Sequence, residues 1–281
     1  MIRQPAVSGS FYPVNESQLR KTVEECFLHP KGPGQLPGLS SASEANLFGL
    51  IVPHAGLVCS GPIAAHSYLR LVQSHWKWLL IAGPNHTGLG TAWAYEDSGS
   101  WRTPLGDIPI NKEKAAIIGA IAGLKIDPIS HWREHSIEVQ LPFIQYIRSD
   151  ATFVPLCVGT NSLTECRRVG EELGRILLTD MSGIMIASTD FSHYVPKQKA
   201  LFLDQKAIDS ILSLDSEGLW RAVNEVPVTM CGYMPVILLI EAAIQARISR
   251  VEFLSYATSG DTCDPLGQQV VGYAAIAFYR S

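Results

Sequence analysis

Short runs of aliphatic and β-branched residues alternate with longer amphipathic segments along most of this chain. This order is typical of βα units, in which a largely parallel sheet is covered by helices. Several runs are apolar throughout, which favours strands that are buried on both faces. The predicted strands are Leu47 to Pro53, Trp78 to Gly83, Thr152 to Val158, Ile184 to Thr189, Val251 to Ala257 and Val270 to Tyr279.

Seven amphipathic segments are predicted helices. They are Glu16 to Phe27, Pro62 to Val72, Lys112 to Ala122, Glu134 to Ile147, Leu163 to Leu178, Lys197 to Leu212 and Tyr233 to Ala246. Asn161 and Ser162 offer caps for the fifth helix, and Pro62 suits the first turn of the second. Pro142 predicts a kink or an early stop in the fourth.

The stretch from His29 to Ala45 is rich in Pro, Gly and Ser, and we interpret it as a surface loop because only one helix precedes it. We therefore predict one α/β domain over residues 1–281, with a mostly parallel or mixed central sheet flanked by helices.

Composition narrows the classes of function. Charged residues make up 17% of the chain and the net charge is -4, with no block of like charges, so we expect no nucleic-acid partner. No segment resembles a signal peptide or reaches about 18 uninterrupted apolar residues, which predicts a cytoplasmic protein without membrane contact. Six widely spaced cysteines indicate reduced, buried thiols rather than a disulfide framework.

Three predicted strands each deliver a histidine just past their carboxyl ends, namely His54, His86 and His193. The carboxyl ends of parallel strands meet at one edge of a sheet, where ligands bind in open α/β folds. Imidazoles grouped at that edge suit a transition metal or an acid–base pair near neutral pH. For any one of them alone, a capping or packing role is the alternative.

Two other segments carry candidate ligands. Cys231 immediately precedes the helix predicted from Tyr233, where free N–H groups and the helix dipole stabilise a thiolate. A buried cysteine without reactivity is the alternative there. The stretch from Ser259 to Pro265 adds two carboxylates and a thiol, and we interpret it as a polar turn rather than part of the same edge.

The pattern His131-Trp132-Arg133-Glu134-His135 fits the H-x-x-E-H motif of inverted zinc peptidases. It lies at the start of a predicted helix, so a first-turn acid at Glu134 explains it equally well. Zinc peptidase activity is therefore kept as a minor alternative.

Six ordered motifs resemble those of the Memo family (mediator of ErbB2-driven cell motility) and its archaeal and bacterial homologues. They are Ser8-Gly9-Ser10-Phe11-Tyr12-Pro13, Val52-Pro53-His54-Ala55-Gly56, Gly83-Pro84-Asn85-His86, Glu134-His135-Ser136-Ile137-Glu138-Val139-Gln140-Leu141-Pro142, Ser188-Thr189-Asp190-Phe191-Ser192-His193-Tyr194 and Cys231-Gly232. The resemblance implies a fold like that of the LigB-type, class III non-haem iron extradiol dioxygenases, with one cleft at the strand ends.

The same resemblance implies roles for individual residues. His54, His86 and Cys231 would be the metal ligands, and His193 would take the place of the dioxygenase acid–base histidine. If the chain is an enzyme, His193 and Asp190 are the predicted catalytic residues, with Asp190 orienting the imidazole. The residues expected to line or brace the pocket are Phe11, Tyr12, Asn85, Glu134 and His135.

A thiolate ligand separates this chain from the dioxygenases, which use two histidines and one carboxylate on Fe(II). Softer donors shift preference towards copper(I), zinc or a differently tuned iron, so the activity does not follow from the fold. We expect a metal-binding, dioxygenase-like redox protein that uses iron or copper, or else zinc, on an unidentified substrate; turnover is left open.

The alternative is a peptide or phosphopeptide binding module that uses a vestigial cleft. The resemblance also implies radical-SAM and AMMECR-type pathway partners.

Overall fold

The computed structural model describes residues 1–38, 46–226 and 228–280. The strands are β1 (Ile2–Arg3), β2 (Leu47–Val52), β3 (Trp78–Pro84), β4 (Trp93–Tyr95), β5 (Ser100–Thr103), β6 (Gly106–Pro109), β7 (Lys125–Ile126), β8 (Phe153–Val158), β9 (Gly183–Ser188), β10 (Arg250–Thr258) and β11 (Gly272–Tyr279). The helices are α1 (Glu16–Leu28), α2 (Leu57–Val72), α3 (Lys112–Gly119), α4 (Pro128–His131), α5 (Leu141–Ile147), α6 (Leu163–Thr179), α7 (Lys197–Leu212), α8 (Ser216–Asn224), α9 (Tyr233–Gln245) and α10 (Ser259–Thr262), and a 3-10 turn covers Glu138–Gln140.

Among the described residues, eight strands form the main sheet in the order β10-β11-β2-β9-β3-β8-β4-β7. The central strands β2, β9, β3 and β8 are parallel, while β11 runs antiparallel to β2 and β4 runs antiparallel to β8. Strands β1, β5 and β6 form a smaller sheet that the sequence patterns did not predict. The predicted α/β class with a mixed sheet flanked by helices is confirmed; the bounds of a single domain over residues 1–281 stay a prediction.

All residues of β2, β3, β8 and β9 are buried, as expected for strands that helices cover. Helix α2 packs against β2 and β11, and α9 packs against β9 and β3. Helix α9 is itself covered by α6, and ten of its 13 residues are buried. The carboxyl ends of β2, β9 and β3 therefore lie side by side at one edge of the sheet.

The beginning of α2 differs from the prediction. The helix starts at Leu57 rather than at Pro62, so the proline lies inside it. An N–H at position 62 would pair with the carbonyl of Val58 in the exposed first turn. Water can satisfy that carbonyl, and the helix tolerates the missing hydrogen bond for this reason.

The helix predicted from Glu134 to Ile147 is wrong in its first half, since α5 begins only at Leu141. The Glu134 carboxylate accepts hydrogen bonds from the backbone N–H groups of His135 and Ser136, both at 2.9 Å. Such local side-chain bonds compete with helix formation and hold this segment as turns. Pro142 then lies in the first turn of α5, where it causes neither a kink nor a stop.

Other boundaries follow the sequence closely. Ser162 caps α6 by accepting from the N–H of Glu165, as predicted. Helix α3 ends at Gly119, three residues earlier than expected, and α8 was not predicted. Part of the predicted loop, residues 39–45, lies outside the described residues. Among the described helices, none is long and apolar enough to cross a membrane.

The expectation that all six cysteines are reduced is wrong, because Cys59 and Cys263 form a disulfide. The two are 204 residues apart in sequence, and their spacing carries no local signal for this pairing. Cys26, Cys157 and Cys166 are buried free thiols, as predicted. Burial raises the pKa of each of these three thiols, which keeps them protonated and unreactive.

Candidate metal centre

Three imidazoles meet at the edge of the sheet where β2 and β3 end. His54 follows β2, His86 follows β3, and His135 lies in the turns before the 3-10 turn. Their ring centroids are 5.2 Å apart for His54 and His86, 5.4 Å for His54 and His135, and 4.5 Å for His86 and His135. Each ring offers a nitrogen within 4.8 Å of the others, so this cluster is compatible with a metal site.

The hydrogen bonds around His54 determine which of its nitrogens carries the proton. The Ser188 hydroxyl donates to the carbonyl of Ser136 at 2.7 Å and receives a hydrogen bond from Gln140 at 2.9 Å. With its proton used there, Ser188 can only accept from Nδ1 of His54, 2.8 Å away. The lone pair of His54 therefore lies on Nε2, the nitrogen that a metal would use.

Glu134 does the same for His86. Its buried carboxylate lies 2.9 Å from Nδ1 and 2.6 Å from the backbone nitrogen of His86. A carboxylate accepts from Nδ1–H, which leaves the Nε2 lone pair of His86 free. Burial raises the pKa of Glu134, but the hydrogen bond from His86 and the neighbouring donors outweigh it and lower the pKa to about 2. The group is thus ionised at neutral pH.

Cys231 completes this side of the cleft. Its Sγ lies 3.2 Å from Nε2 of His54, and the backbone N–H of Asp190 donates to the sulfur at 3.4 Å. Burial raises the pKa of the Cys231 thiol, and the neighbouring Asp190 carboxylate adds to the increase. The N–H of Gly232 at the start of α9 lowers the pKa of Cys231, but burial outweighs this predicted stabilisation of a thiolate. A bound cation would reverse this balance.

Comparison with known proteins decides the family. A family model described as Memo-like protein matches residues 3–277, nearly the whole chain. The chain belongs to the Memo-like family. It is 44% identical to a MEMO1 family protein of Methanopyrus kandleri, with all of both chains covered. It is 40% identical to a MEMO1 family protein of Sulfurisphaera tokodaii, with 99% of each chain covered.

A solved structure supports the fold of this Memo-like chain. The crystal structure of an uncharacterized protein from Escherichia coli K12 superimposes with a TM-score of 0.55 at 12% identity, covering 82% of this chain and 99% of the other. At so low an identity the likeness concerns the fold alone.

His193 of this Memo-like chain lies on the segment that follows β9, on the same edge of the sheet as His54 and His86. Its Nδ1 is 2.9 Å from the carbonyl oxygen of Thr229, and its N–H donates to the Thr229 hydroxyl at 2.7 Å. The carboxylate of Asp190 instead accepts the backbone N–H of His54 at 2.8 Å. Thr229 thus provides the hydrogen bond to Nδ1 of His193, and the orienting role expected for Asp190 stays a prediction.

Burial and neighbouring charges shift the pKa values of His54, Asp190 and His135. Burial lowers the pKa of His54 strongly, and the charges of His135, His86 and His193 lower it further, so His54 is neutral. Burial raises the pKa of Asp190 to about 6, although the N–H of His54 opposes the increase. Burial likewise lowers the pKa of His135. Neutral imidazoles are the form that binds metals.

The remaining predicted pocket residues fall in different places. Phe11 packs edge-on against His135, with ring centroids 4.9 Å apart. Tyr12 is buried and donates to Glu138 at 2.6 Å. Asn85 shapes the loop after β3, where its Oδ1 accepts from the N–H of Gly88 at 3.0 Å.

The helical H-x-x-E-H site is wrong, because α4 ends at His131 and turns follow it. The ring of His131 is buried against Trp101, with centroids 5.4 Å apart, while His135 belongs to the histidine cluster. The two histidines are therefore not successive ligands on one helix, as that zinc site requires.

Sequence reasoning placed His135 at the pocket but not within the imidazole cluster, and it did not single out Ser188, Gln140 or Thr229. Ser188 was visible only as the end of a strand inside a recognised motif. Gln140 and Thr229 reach the site through contacts between distant parts of the chain, for which a single sequence carries no local signal.

Proposed function

We propose that this Memo-like chain is a metal-binding, dioxygenase-like redox protein whose ion is held by His54, His86 and Cys231. The observation that carries the proposal is the hydrogen bonding of the two imidazoles. Ser188 and Glu134 hold their Nδ1 protons, so each ring carries its lone pair on Nε2, the nitrogen that a metal would use.

The donor set fits a transition metal. Nitrogen and sulfur ligands of one ion bind at about 2.0 and 2.3 Å and thus lie roughly 3 to 3.6 Å apart. The 3.2 Å between Sγ of Cys231 and Nε2 of His54 falls in this range. His135 is the competing third donor, because the ligand atoms that lie within 4.8 Å of one another belong to the three imidazoles and not to Cys231. Imidazole and thiolate donors suit iron, copper or zinc.

Bound there, iron or copper would supply one-electron redox chemistry, and zinc only Lewis-acid chemistry. The chain's own part in proton transfer falls to His193. A carbonyl oxygen can only accept, so Thr229 fixes the ring proton of His193 on Nδ1. Its Nε2 is then free to take a proton from a substrate group and return it, as a general base and acid.

The deciding experiment is metal analysis of protein purified anaerobically without affinity tags. We compare the wild type with His54→Ala/His86→Ala, Cys231→Ser and His135→Gln, and use the buried Cys157→Ser as a control outside the cleft. Near-stoichiometric iron or copper that is lost in the first two variants and kept in the other two supports the proposal. If the metal is lost in His135→Gln and retained in Cys231→Ser, the third ligand is the imidazole of His135 and not the thiolate of Cys231.

A second measurement separates binding from chemistry. His193→Gln should retain the metal and lower turnover of an oxygen-dependent substrate by about 100 to 10,000-fold, the usual contribution of a positioned acid–base group. Loss of the metal in this variant would contradict the role assigned to His193. A wild-type chain that takes up no iron, copper or zinc would overturn the proposal and favour a peptide-binding cleft.

The proposal extends to the surroundings of the protein. From the family resemblance we propose that radical-SAM and AMMECR-type proteins act with it on a small molecule or peptide. We propose the cytoplasm as its compartment. Co-purification of the two partners from native cells would test this extension independently of the metal.

A further inference from the structure

The disulfide joins the helix that follows His54 to a connection that contacts the segment carrying His193. Cys59 lies in the first turn of α2, which begins three residues after His54. Cys263 lies in the connection between β10 and β11, residues 259–271, which we call the Cys263 connection. Both cysteines are partly exposed.

The Cys263 connection is attached to the segment that carries His193, residues 190–197, which we call the His193 segment. The contacts within and beside it are Val270 N to Val195 O at 2.8 Å, Gly272 N to Ser192 O at 2.9 Å, Phe191 N to Gly272 O at 2.9 Å, and Lys197 Nζ to Asp261 Oδ1 at 2.6 Å. A displacement of the connection would therefore also move the segment that carries His193.

The histidine cluster is held by other contacts. His54 is fixed by Ser188 at the end of β9, and His86 by the buried Glu134. Helix α2 is anchored beside the cluster by the N–H of Leu57, which donates to the carbonyl of Phe11 at 2.9 Å. None of these contacts involves either half of the disulfide, so its loss would leave the cluster in place.

We propose that Cys59–Cys263 is a site of reversible thiol–disulfide exchange that controls the mobility of the His193 segment. In the oxidised chain, the bond holds the Cys263 connection against α2 and so restrains the segment that carries His193. In the reduced chain, the connection and residues 193–197 become more mobile together, while Asp190, which accepts the N–H of His54, and the histidine cluster keep their geometry.

The reaction partner is a dithiol. One of its thiolates attacks a sulfur of the disulfide, the S–S bond breaks, and the other cysteine leaves as a thiolate that takes up a proton. The second thiol of the reductant then displaces the remaining cysteine from the mixed disulfide. In total, two electrons and two protons pass to Cys59 and Cys263, and the dithiol becomes a disulfide.

The test is hydrogen–deuterium exchange, read by mass spectrometry, on the full chain as purified, on the chain treated with dithiothreitol, and on Cys59→Ser/Cys263→Ser. We expect amides of the Cys263 connection and the His193 segment to exchange about tenfold faster or more in both reduced forms. Amides of β2, β3 and β9, which exchange through global unfolding, should stay protected in all three forms at labelling times of seconds to minutes. The double variant should not respond to dithiothreitol, whereas Cys166→Ser, which removes a buried free thiol, should respond as the wild type does.

Equal exchange in the oxidised and reduced chains would overturn the proposal. So would faster exchange of β2, β3 and β9 at the same short labelling times, since that is general destabilisation rather than local release. Free thiols at both positions in aerobically purified protein, shown by peptide mapping without reductant, would also overturn it. This inference rests on the proposed function, because the disulfide is proposed to act near the metal site. The exchange measurements need no metal, so a negative result for the disulfide is distinguishable from failure of the metal site.

Discussion

At the scale of single residues, Glu134 decides the shape of the histidine cluster. Its carboxylate accepts four hydrogen bonds, from the N–H and Nδ1 of His86 and from the N–H groups of His135 and Ser136. The same group therefore orients one imidazole and prevents the helix that would carry another one away. It is fully buried and stays ionised because these donors hold the pKa at about 2.

Replacing Glu134 by Gln should weaken metal binding. A glutamine keeps the volume but turns an N–H donor towards the N–H groups of His86, so the ring loses its fixed orientation. We expect the metal affinity to fall about 10 to 100-fold, as for other carboxylates that orient a ligand histidine. Competition with a chelator measures this directly.

Glu96→Gln is the matched control for that measurement. Glu96 is buried and accepts from the indole N–H of Trp101, with no contact to the histidine cluster described above. An equal loss of affinity in both variants would mean that Glu134 acts through general stability and not through His86.

At the scale of elements, the short strand β1 braces the turns that hold the cluster. Within β1, Arg3 donates to the carbonyls of His131 at 2.8 Å and Glu134 at 2.7 Å, and it pairs with Glu138 at 2.6 Å. Both members of the ion pair are buried. Glu138 also accepts from the N–H groups of Ala6 and Val7 and from the Tyr12 hydroxyl.

Breaking this pair should be costly. Arg3→Met leaves a buried carboxylate without its countercharge, which costs about 3 to 5 kcal/mol of the free energy of unfolding. Arg3→Met/Glu138→Gln should lose less than the sum of the two single variants, because the double variant has no unpaired buried charge. Urea unfolding of the four proteins in the cycle measures the coupling, and simple additivity would contradict it.

The short helix α10 carries a pH-dependent cap. Asp261 accepts from the N–H of Thr258 at 3.1 Å and from Lys197 at 2.6 Å. Burial raises the pKa of Asp261, but the hydrogen bonds from Lys197 and Thr258 outweigh it and lower the pKa to about 2.

A depressed folded pKa means that the stabilisation by Asp261 is fully present above the unfolded value of about 3.9 and is lost as the pH falls through about 2. We therefore expect the free energy of unfolding to fall more between pH 5 and 2 in the wild type than in Asp261→Asn. The difference should correspond to the titration of about one carboxyl group. Thermal unfolding across this range compares them. Parallel curves for the two proteins would contradict the assignment.

At the scale of the whole molecule, the disulfide ties the first third of the chain to its end. It closes a loop of 204 residues, for which the chain-entropy argument gives about 5 kcal/mol of stabilisation. Cys59→Ser/Cys263→Ser should therefore lose about 3 to 5 kcal/mol of unfolding free energy, and the wild type in dithiothreitol should match the variant. Urea unfolding of the wild type, with and without dithiothreitol, and of the variant without it measures this loss. An unchanged unfolding midpoint in the variant would contradict the prediction.

Local sequence patterns were enough to predict the long buried strands and most of the long helices. Apolar runs predicted β2, β3, β8 and β9 nearly to the residue, since burial of a whole strand leaves a continuous local pattern. The same patterns placed His54 and His86 just past strand ends, so one edge of the sheet could be named as the candidate site before any coordinates. The fold class followed from the alternation of strands and helices.

Only the tertiary structure decided which strands are neighbours. Strand β9 lies between β2 and β3, which brings Ser188 and Asp190 to His54, and this order is set by packing between distant segments. The pairing of Cys59 with Cys263 likewise depends on elements 204 residues apart. A local pattern reports the burial and period of one segment, whereas such contacts depend on how segments meet, and that is determined by the free energy of the whole folded chain.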